Sequence, residues 1–191
     1  MICSLKYSTD VALSKQVDGI AYASGNELIM YMDMRFAGPG TSMGAPNSVC
    51  GVLHVGGIQQ LTALVGPGYA NQYMISGLPI SGPRAAEIGW VNKYYDSSAN
   101  LTSAVNALAA RIAMFPWTGI TSNKKAIRMS GPTQEMIDAG KEEFFGFVTQ
   151  PYVQECVVNW LALDGGNITD TKFQRNMLNL LPEVWTMNST S

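Results

Sequence analysis

The chain has 191 residues, with 12 lysines and arginines against 14 aspartates and glutamates and a net charge of -2. Charged residues make up 14% against about 25% in a typical soluble domain, and no basic block supplies the electrostatic footprint of a nucleic-acid binder. A hydrophobic share of 47% excludes a disordered chain, and the length suits a domain with a real core.

The N-terminal stretch Met1 to Gln16 has no apolar signal region, and no run reaches the roughly 18 apolar residues of a membrane helix. The expectation is an intracellular protein, cytoplasmic or organellar, without a secretion signal or membrane span. Ser189-Thr190-Ser191 is not a peroxisomal address. Sequons at Asn100, Asn167 and Asn188 then read as chance. A single histidine, His54, and three scattered cysteines, Cys3, Cys50 and Cys156, offer no metal or CxxC spacing, and the thiols are expected to be buried and reduced.

A β-prone stretch from Val17 to Ala21 leads to Ser24-Gly25-Asn26, a helix start, and Glu27 to Met32 continues a compact apolar helix with a carboxylate in its first turn. Met34 to Ala37 reads as a strand, and Gly38-Pro39-Gly40 breaks it. A second glycine-rich region, Gly51 to Gly57, opens a helix from Ile58 to Val65. Near residue 97 the texture changes from glycine-rich to helical. Leu101, Val105, Leu108, Ala109 and Ile112 fall on one helical face between Ala99 and Phe115. Val153, Cys156, Val157, Trp160 and Leu161 repeat that pattern before Gly165-Gly166. This texture predicts an α/β part over residues 1–97 and a helical region over 98–191.

Glu27 sits between Gly25 and an apolar run, where desolvation would raise its pKa and suit it to acid/base work near neutral pH. The competing reading is a first-turn glutamate that serves only the helix dipole. The two glycine clusters match neither GxGxxG nor a phosphate loop and read as turns. His54, within Val52-Leu53-His54-Val55, could act as a base, although a lone histidine in an apolar run is more often a hydrogen-bonded structural residue. Ser24 is not in a nucleophile elbow, and Asp33 is expected to bond locally. Eleven methionines suit a core or an adaptable apolar pocket.

Gly19-Ile20-Ala21-Tyr22-Ala23-Ser24-Gly25-Asn26-Glu27-Leu28 followed by Asp33-Met34-Arg35-Phe36-Ala37 resembles the crotonase (enoyl-CoA hydratase/isomerase) signature G-x-A-x-G-G-G-x-E-L and D-x-R-x-A. Three further blocks keep its order: Gly56 to Leu61, Leu64 to Ala70, and Gly77 to Asn92. The resemblance implies a crotonase-like ββα spiral, N-terminally truncated, followed by a helical C-terminal region that shapes the acyl pocket and the subunit contacts. It implies an acyl-CoA thioester as substrate, no further cofactor, and a homo-oligomer, a trimer or hexamer. It also implies Glu27 as acid/base, the Ser24 N–H as an oxyanion donor, and Gly25, Pro46, His54 and Gly56 at the substrate.

The sequence departs from the family pattern in three places. Gly44-Ala45-Pro46-Asn47 stands for G-Q-P-E, so Asn47 takes the position of the second catalytic carboxylate and can orient but not shuttle a proton. Ala23-Ser24-Gly25 replaces a triple glycine and adds Cβ atoms beside the substrate. Only 18 residues precede Gly19, where the family carries the first strands, nucleotide contacts and the other oxyanion donor. Loss of an oxyanion donor costs about 10²- to 10³-fold and loss of an acid/base group about 10²- to 10⁴-fold. The alternative expectation is therefore a catalytically impaired or non-catalytic subunit that binds acyl-CoA or oligomerises.

Overall fold

The computed structural model describes residues 14–128 and 131–163, together with Gln174, Asn176, Asn179, Leu180 and Glu183. Cys3, Gly165-Gly166 and the sequons at Asn167 and Asn188 lie outside the described residues. The chain winds through repeated passages, each adding a strand to each of two small sheets. Strands β1 (Ser14–Val17), β3 (Met34–Ala37) and β6 (Lys93–Tyr94) form one sheet in the order β1-β3-β6, and β2 (Ile20–Tyr22), β4 (Ser42–Gly44) and β5 (Ile80–Ser81) form the other. Both β3 contacts are parallel, with Val17 opposite Ala37, and β2 pairs parallel with β4, placing Tyr22 opposite Gly44. β5 runs antiparallel to β4. Between the passages lie helices α1 (Ser24–Met30), α2 (Gly57–Ser76) and α3 (Gly82–Glu87), followed by α4 (Ser98–Ala113), α5 (Trp117–Arg128), α6 (Gln134–Val148) and α7 (Pro151–Ala162). This is the expected α/β spiral with a helical C-terminal region.

The stretch expected as a single strand over Val17 to Ala21 is divided at Asp18-Gly19, and its halves join different sheets. The Asp18 carboxylate accepts from Gly40 N–H at 2.7 Å and occupies the space where a side chain on Gly38 would stand. Gly38-Pro39-Gly40 is thus a turn filled by protein. α2 runs past the expected end at Val65 but kinks there: Gly66 has φ 77° and ψ 164°, and Pro67 cannot donate to the preceding turn.

The main core holds Ala37, Met43, Leu61, Ala85 and Trp90, all buried without residual exposure. Asn26 Nδ2 is buried there without a hydrogen-bond partner among the described residues, while the other polar groups are engaged as follows. Asn26 Oδ1 accepts from Trp90 Nε1 at 3.2 Å, and Arg35 donates from Nε to Trp90 O at 2.9 Å and from Nη1 to Met32 O at 2.8 Å. Ser97 caps α4 by accepting from Asn100 N–H. Leu101 and Val105 bury against Phe36 with Leu108 beside them, whereas Ala109 is exposed. On α7 the buried stripe is similarly narrow: Val153 and Cys156 are covered, while Val157 and Leu161 face outward. Both helices meet the body along a single row, so residues one position off that row escape burial. Among the described residues no helix is long and apolar enough to cross a membrane, and no cluster of potential metal ligands occurs.

Candidate active site

The site is built where α1 begins. Ala23 precedes it with φ 48° and ψ -121°, a backbone conformation that L-residues adopt at a cost of about 1–3 kcal/mol. Ala23 N–H donates to Gly44 O at 3.1 Å, and Ala23 O accepts from Glu27 N at 3.0 Å, so β4 fixes the entry to the helix. Ser24 and Gly25 follow, both exposed, and their N–H groups belong to the first turn, which has no intrahelical acceptors. Glu27 lies three residues after Ser24, on the same side of the helix. Its side chain is 14% exposed, and burial lifts its carboxyl from 4.5 to about 7. The partly dry setting expected from the flanking sequence is therefore present.

Asn47 and Pro46 lie in a 3₁₀ turn, Pro46–Cys50, that follows β4 directly. His54 lies in the loop between that turn and α2, with its side chain 2% exposed. Its Nδ1 is 3.0 Å from Asn47 Oδ1 and 3.3 Å from Glu27 Oε1. Burial depresses the imidazole from 6.5 to about 4, so it is neutral at pH 7. A neutral ring whose Nδ1 faces the Asn47 amide oxygen carries its proton on that nitrogen and donates it to Asn47. With the ring uncharged, the 3.3 Å approach to Glu27 Oε1 is a close polar contact rather than an ion pair. Nε2 is buried without a hydrogen-bond partner among the described residues.

The rest of the loop is shaped around this ring. Gly56 caps α2 in the left-handed region at φ 67°. A side chain on Gly57 would place its Cβ 2.5 Å from His54 Nε2 and 3.0 Å from Met30 Cε, so glycine is required for the ring to seat. Pro46 lies beside the other end of α2, its Cα 3.8 Å from where a Cβ on Gly77 would stand. Outside the turn, Tyr152 of α7 lies against Gly51, and Cys156 Sγ lies 4.0 Å from Val49 O. Cys50 and Cys156 are free thiols, and burial raises both.

The structure thus joins Glu27, Asn47 and His54 in one cluster, with Ser24 and Gly25 at the mouth of the same helix. The mutual contact of all three was not legible in the sequence. The sole available signal was that Asn47 replaces a family carboxylate in the same chain that has a histidine at position 54. One reading is extended: Asp33 reaches well beyond its local neighbours. It lies beyond α1 and pairs with Lys124 Nζ at 2.6 Å and Arg128 Nη2 at 3.0 Å, both from α5. These three residues border a mainly apolar cavity of about 560 Å³, into which Met30, Met32, Leu64 and Ile112 also project.

The comparisons with known proteins agree with this architecture. The enoyl-CoA hydratase/isomerase family profile matches residues 5–157. The crotonyl-CoA hydratase of Syntrophomonas wolfei is 34% identical over 115 residues, covering 60% of this chain and 41% of that protein. The 2,3-dehydroadipyl-CoA hydratase of Escherichia coli is 30% identical over 115 residues, covering 60% and 45%. The chain therefore spans less than half the length of these relatives. In fold it is similar to a Streptomyces avermitilis protein provisionally assigned as an enoyl-CoA hydratase, with a TM-score of 0.83 at 24% identity over 94% of this chain and 63% of that one. The enoyl-CoA hydratase/isomerase of Pseudoalteromonas atlantica superposes with a TM-score of 0.76 at 18% identity, covering 83% and 64%. The ordered signature blocks, the two-sheet spiral and the profile match lead to one assignment: the chain belongs to the enoyl-CoA hydratase/isomerase family, the crotonase superfamily.

Proposed function

We propose that this protein processes acyl-CoA thioesters by moving a proton with Glu27, while the Ser24 N–H supports the thioester oxygen as it gains negative charge. The observation that carries this reading is a carboxyl lifted by burial to about 7 and placed one turn from the free amides at the start of α1. A carboxyl that titrates near neutrality is populated in both forms and can take and return a proton. The amides and the helix dipole favour the negative charge of an enolate.

Asn47 favours isomerisation over hydration. Hydration needs a water held between two proton-carrying groups, and the Asn47 oxygen is engaged by His54. In isomerisation one carboxylate suffices. It takes the proton from the α-carbon of a 3-enoyl thioester, leaving the C–H electron pair in a dienolate, and returns the proton to the γ-carbon. Purified protein is to be assayed with a 2-enoyl-CoA and a 3-enoyl-CoA. The expected result is conversion of the 3-enoyl substrate, reduced by about 10²-fold or more in Glu27→Gln. Turnover that is unchanged in that variant defeats the assignment.

The Asn47 substitution also supports a second reading, a non-catalytic acyl-CoA-binding subunit. Calorimetric titration decides between them, because binding without turnover of either substrate favours the subunit. A homo-oligomer, trimer or hexamer, is part of the proposal in both cases. It is supported by the exposure of Met114, Trp117, Ile127, Phe145 and Val158 on the C-terminal helices. Light scattering that finds a monomer at assay concentration refutes it.

A further inference from the structure

His54 is tied to two candidate residues, yet its ring is sealed from solvent. Three elements hold it: Asn47 of the 3₁₀ turn at 3.0 Å, Glu27 of α1 at 3.3 Å together with Met30 of the same helix, and Gly57 at the start of α2. The ring cannot reach a bound substrate, because its outer nitrogen is buried. Whatever it does for chemistry it must do through Glu27. Asn47 is suited to directing it. An asparagine oxygen accepts a hydrogen bond at any ordinary pH, so it keeps the proton on Nδ1, the ring nitrogen that also lies 3.3 Å from Oε1 of Glu27. Among the described residues, His54 is the titratable side chain in contact with Glu27. Asp33, Lys124 and Arg128, beyond the other end of α1, pair with one another.

We propose that His54 is a positioning residue: its Nδ1–H, kept on that nitrogen by Asn47 and shared with Oε1 of Glu27, holds that oxygen so that Oε2 is the one that exchanges the proton with substrate. This rests on the acid/base reading of Glu27 and adds to it the group that orients the carboxyl. Asn47, standing where the family pattern has a second carboxylate, then works as the anchor of this bond rather than as a proton carrier. One carboxyl oxygen is occupied by a neutral donor and the other is left for the α-carbon.

The test uses the full chain with two substitutions. His54→Leu keeps bulk and removes the donor. His54→Asn returns an N–H to the place of Nδ1. With the 3-enoyl-CoA, the Leu variant is expected to lose about 10²-fold in kcat, the size of effect that misplacement of a reacting group produces, while KM stays within roughly threefold. The Asn variant recovers most of that loss. The second readout is the Glu27 titration, followed by carbon-13 NMR of carboxyl-labelled glutamate. Loss of a donor to the carboxylate moves the midpoint upward in the Leu variant, and the Asn variant brings it back. Should His54→Leu fail to fold, His54→Gln, which keeps a polar side chain but carries its amide nitrogen at the place of Nε2 rather than Nδ1, is expected to move both readouts in the same directions.

A lower melting temperature with kcat and midpoint unmoved makes His54 a packing residue and overturns the proposal. The titration needs no substrate, so the two ideas fail separately. If the midpoint moves while Glu27→Gln leaves turnover intact, the acid/base reading falls and the His54–Glu27 bond stands. If Glu27→Gln abolishes turnover while the His54 variants match the parent, the positioning role falls alone.

Discussion

Replacing Glu27 by glutamine fixes the site in a form close to its protonated state, and the effect on stability depends on pH in a calculable way. The folded-state carboxyl titrates at about 7 and its ordinary value is 4.5. Between these values the folded protein holds a proton that the unfolded chain has released, so stability falls as pH rises through the interval. At 1.36 kcal/mol per unit, the parent loses about 3 kcal/mol by pH 8 and less than about 1 kcal/mol by pH 5. Glutamine escapes this loss. Glu27→Gln should therefore stabilise the protein by about 3 kcal/mol at pH 8 and by less than about 1 kcal/mol at pH 5. His54 works in the opposite sense. Depressed from 6.5 to about 4, it contributes stability that is full above 6.5 and is lost as pH falls toward 4. In the parent the two slopes nearly cancel between about pH 5 and 6.5, and the variant should expose the rising His54 slope alone. Urea titration read by tryptophan fluorescence is suitable, since Trp90 is fully buried and becomes exposed on unfolding. Equal stability changes at pH 5 and pH 8, or a loss at pH 8, would refute the reasoning.

Ala23→Gly should raise the urea midpoint, because glycine adopts φ 48° and ψ -121° freely; relief of about 1 kcal/mol is expected after the entropic penalty of glycine. A lowered midpoint contradicts the strained entry to α1. Gly57→Ala should destabilise and displace the His54 ring, read as a shift of its NMR resonances. Gly68→Ala, where a Cβ meets open space within α2, should be neutral or stabilising by up to about 1 kcal/mol, and the reverse order defeats both placements. Asp33→Ala leaves Lys124 and Arg128 without that partner beside the cavity and should cost about 2 kcal/mol or more. An unchanged thermal midpoint would make this bridge a surface contact.

The elements that announce themselves in the sequence are those bounded by glycine and proline or marked by helical spacing. The strand at Met34–Ala37 ends at Gly38-Pro39-Gly40, α2 opens within the pair Gly56-Gly57, and α4 follows its capping serine. The division at Asp18-Gly19 was hidden, since three or four residues are too few to show to which of two sheets a strand belongs. The ion pairs of Asp33 were hidden for another reason: Lys124 and Arg128 are on α5, over 90 residues away, and local spacing carries no trace of them. Within the site, the apolar neighbours of Glu27 foretold its desolvation. The His54 contacts did not follow from pattern, because they depend on a 3₁₀ turn folding the chain back so that residues 27, 47 and 54 meet. Val157 and Leu161 show the limit of periodicity, which gives the angular position of a side chain but not how far the neighbouring surface extends.

The Asn26–Trp90 bond bears on the order of assembly. α1 is seven residues long, too short to persist in water by itself, and the residue next to Glu27 is secured by an indole 64 positions further along the chain. The start of α1 is therefore tied to a stretch of chain made well after it, and Asn26 lacks its indole partner until Trp90 docks. A nascent chain ending before that tryptophan would carry the signature residues without the indole that secures the residue beside Glu27.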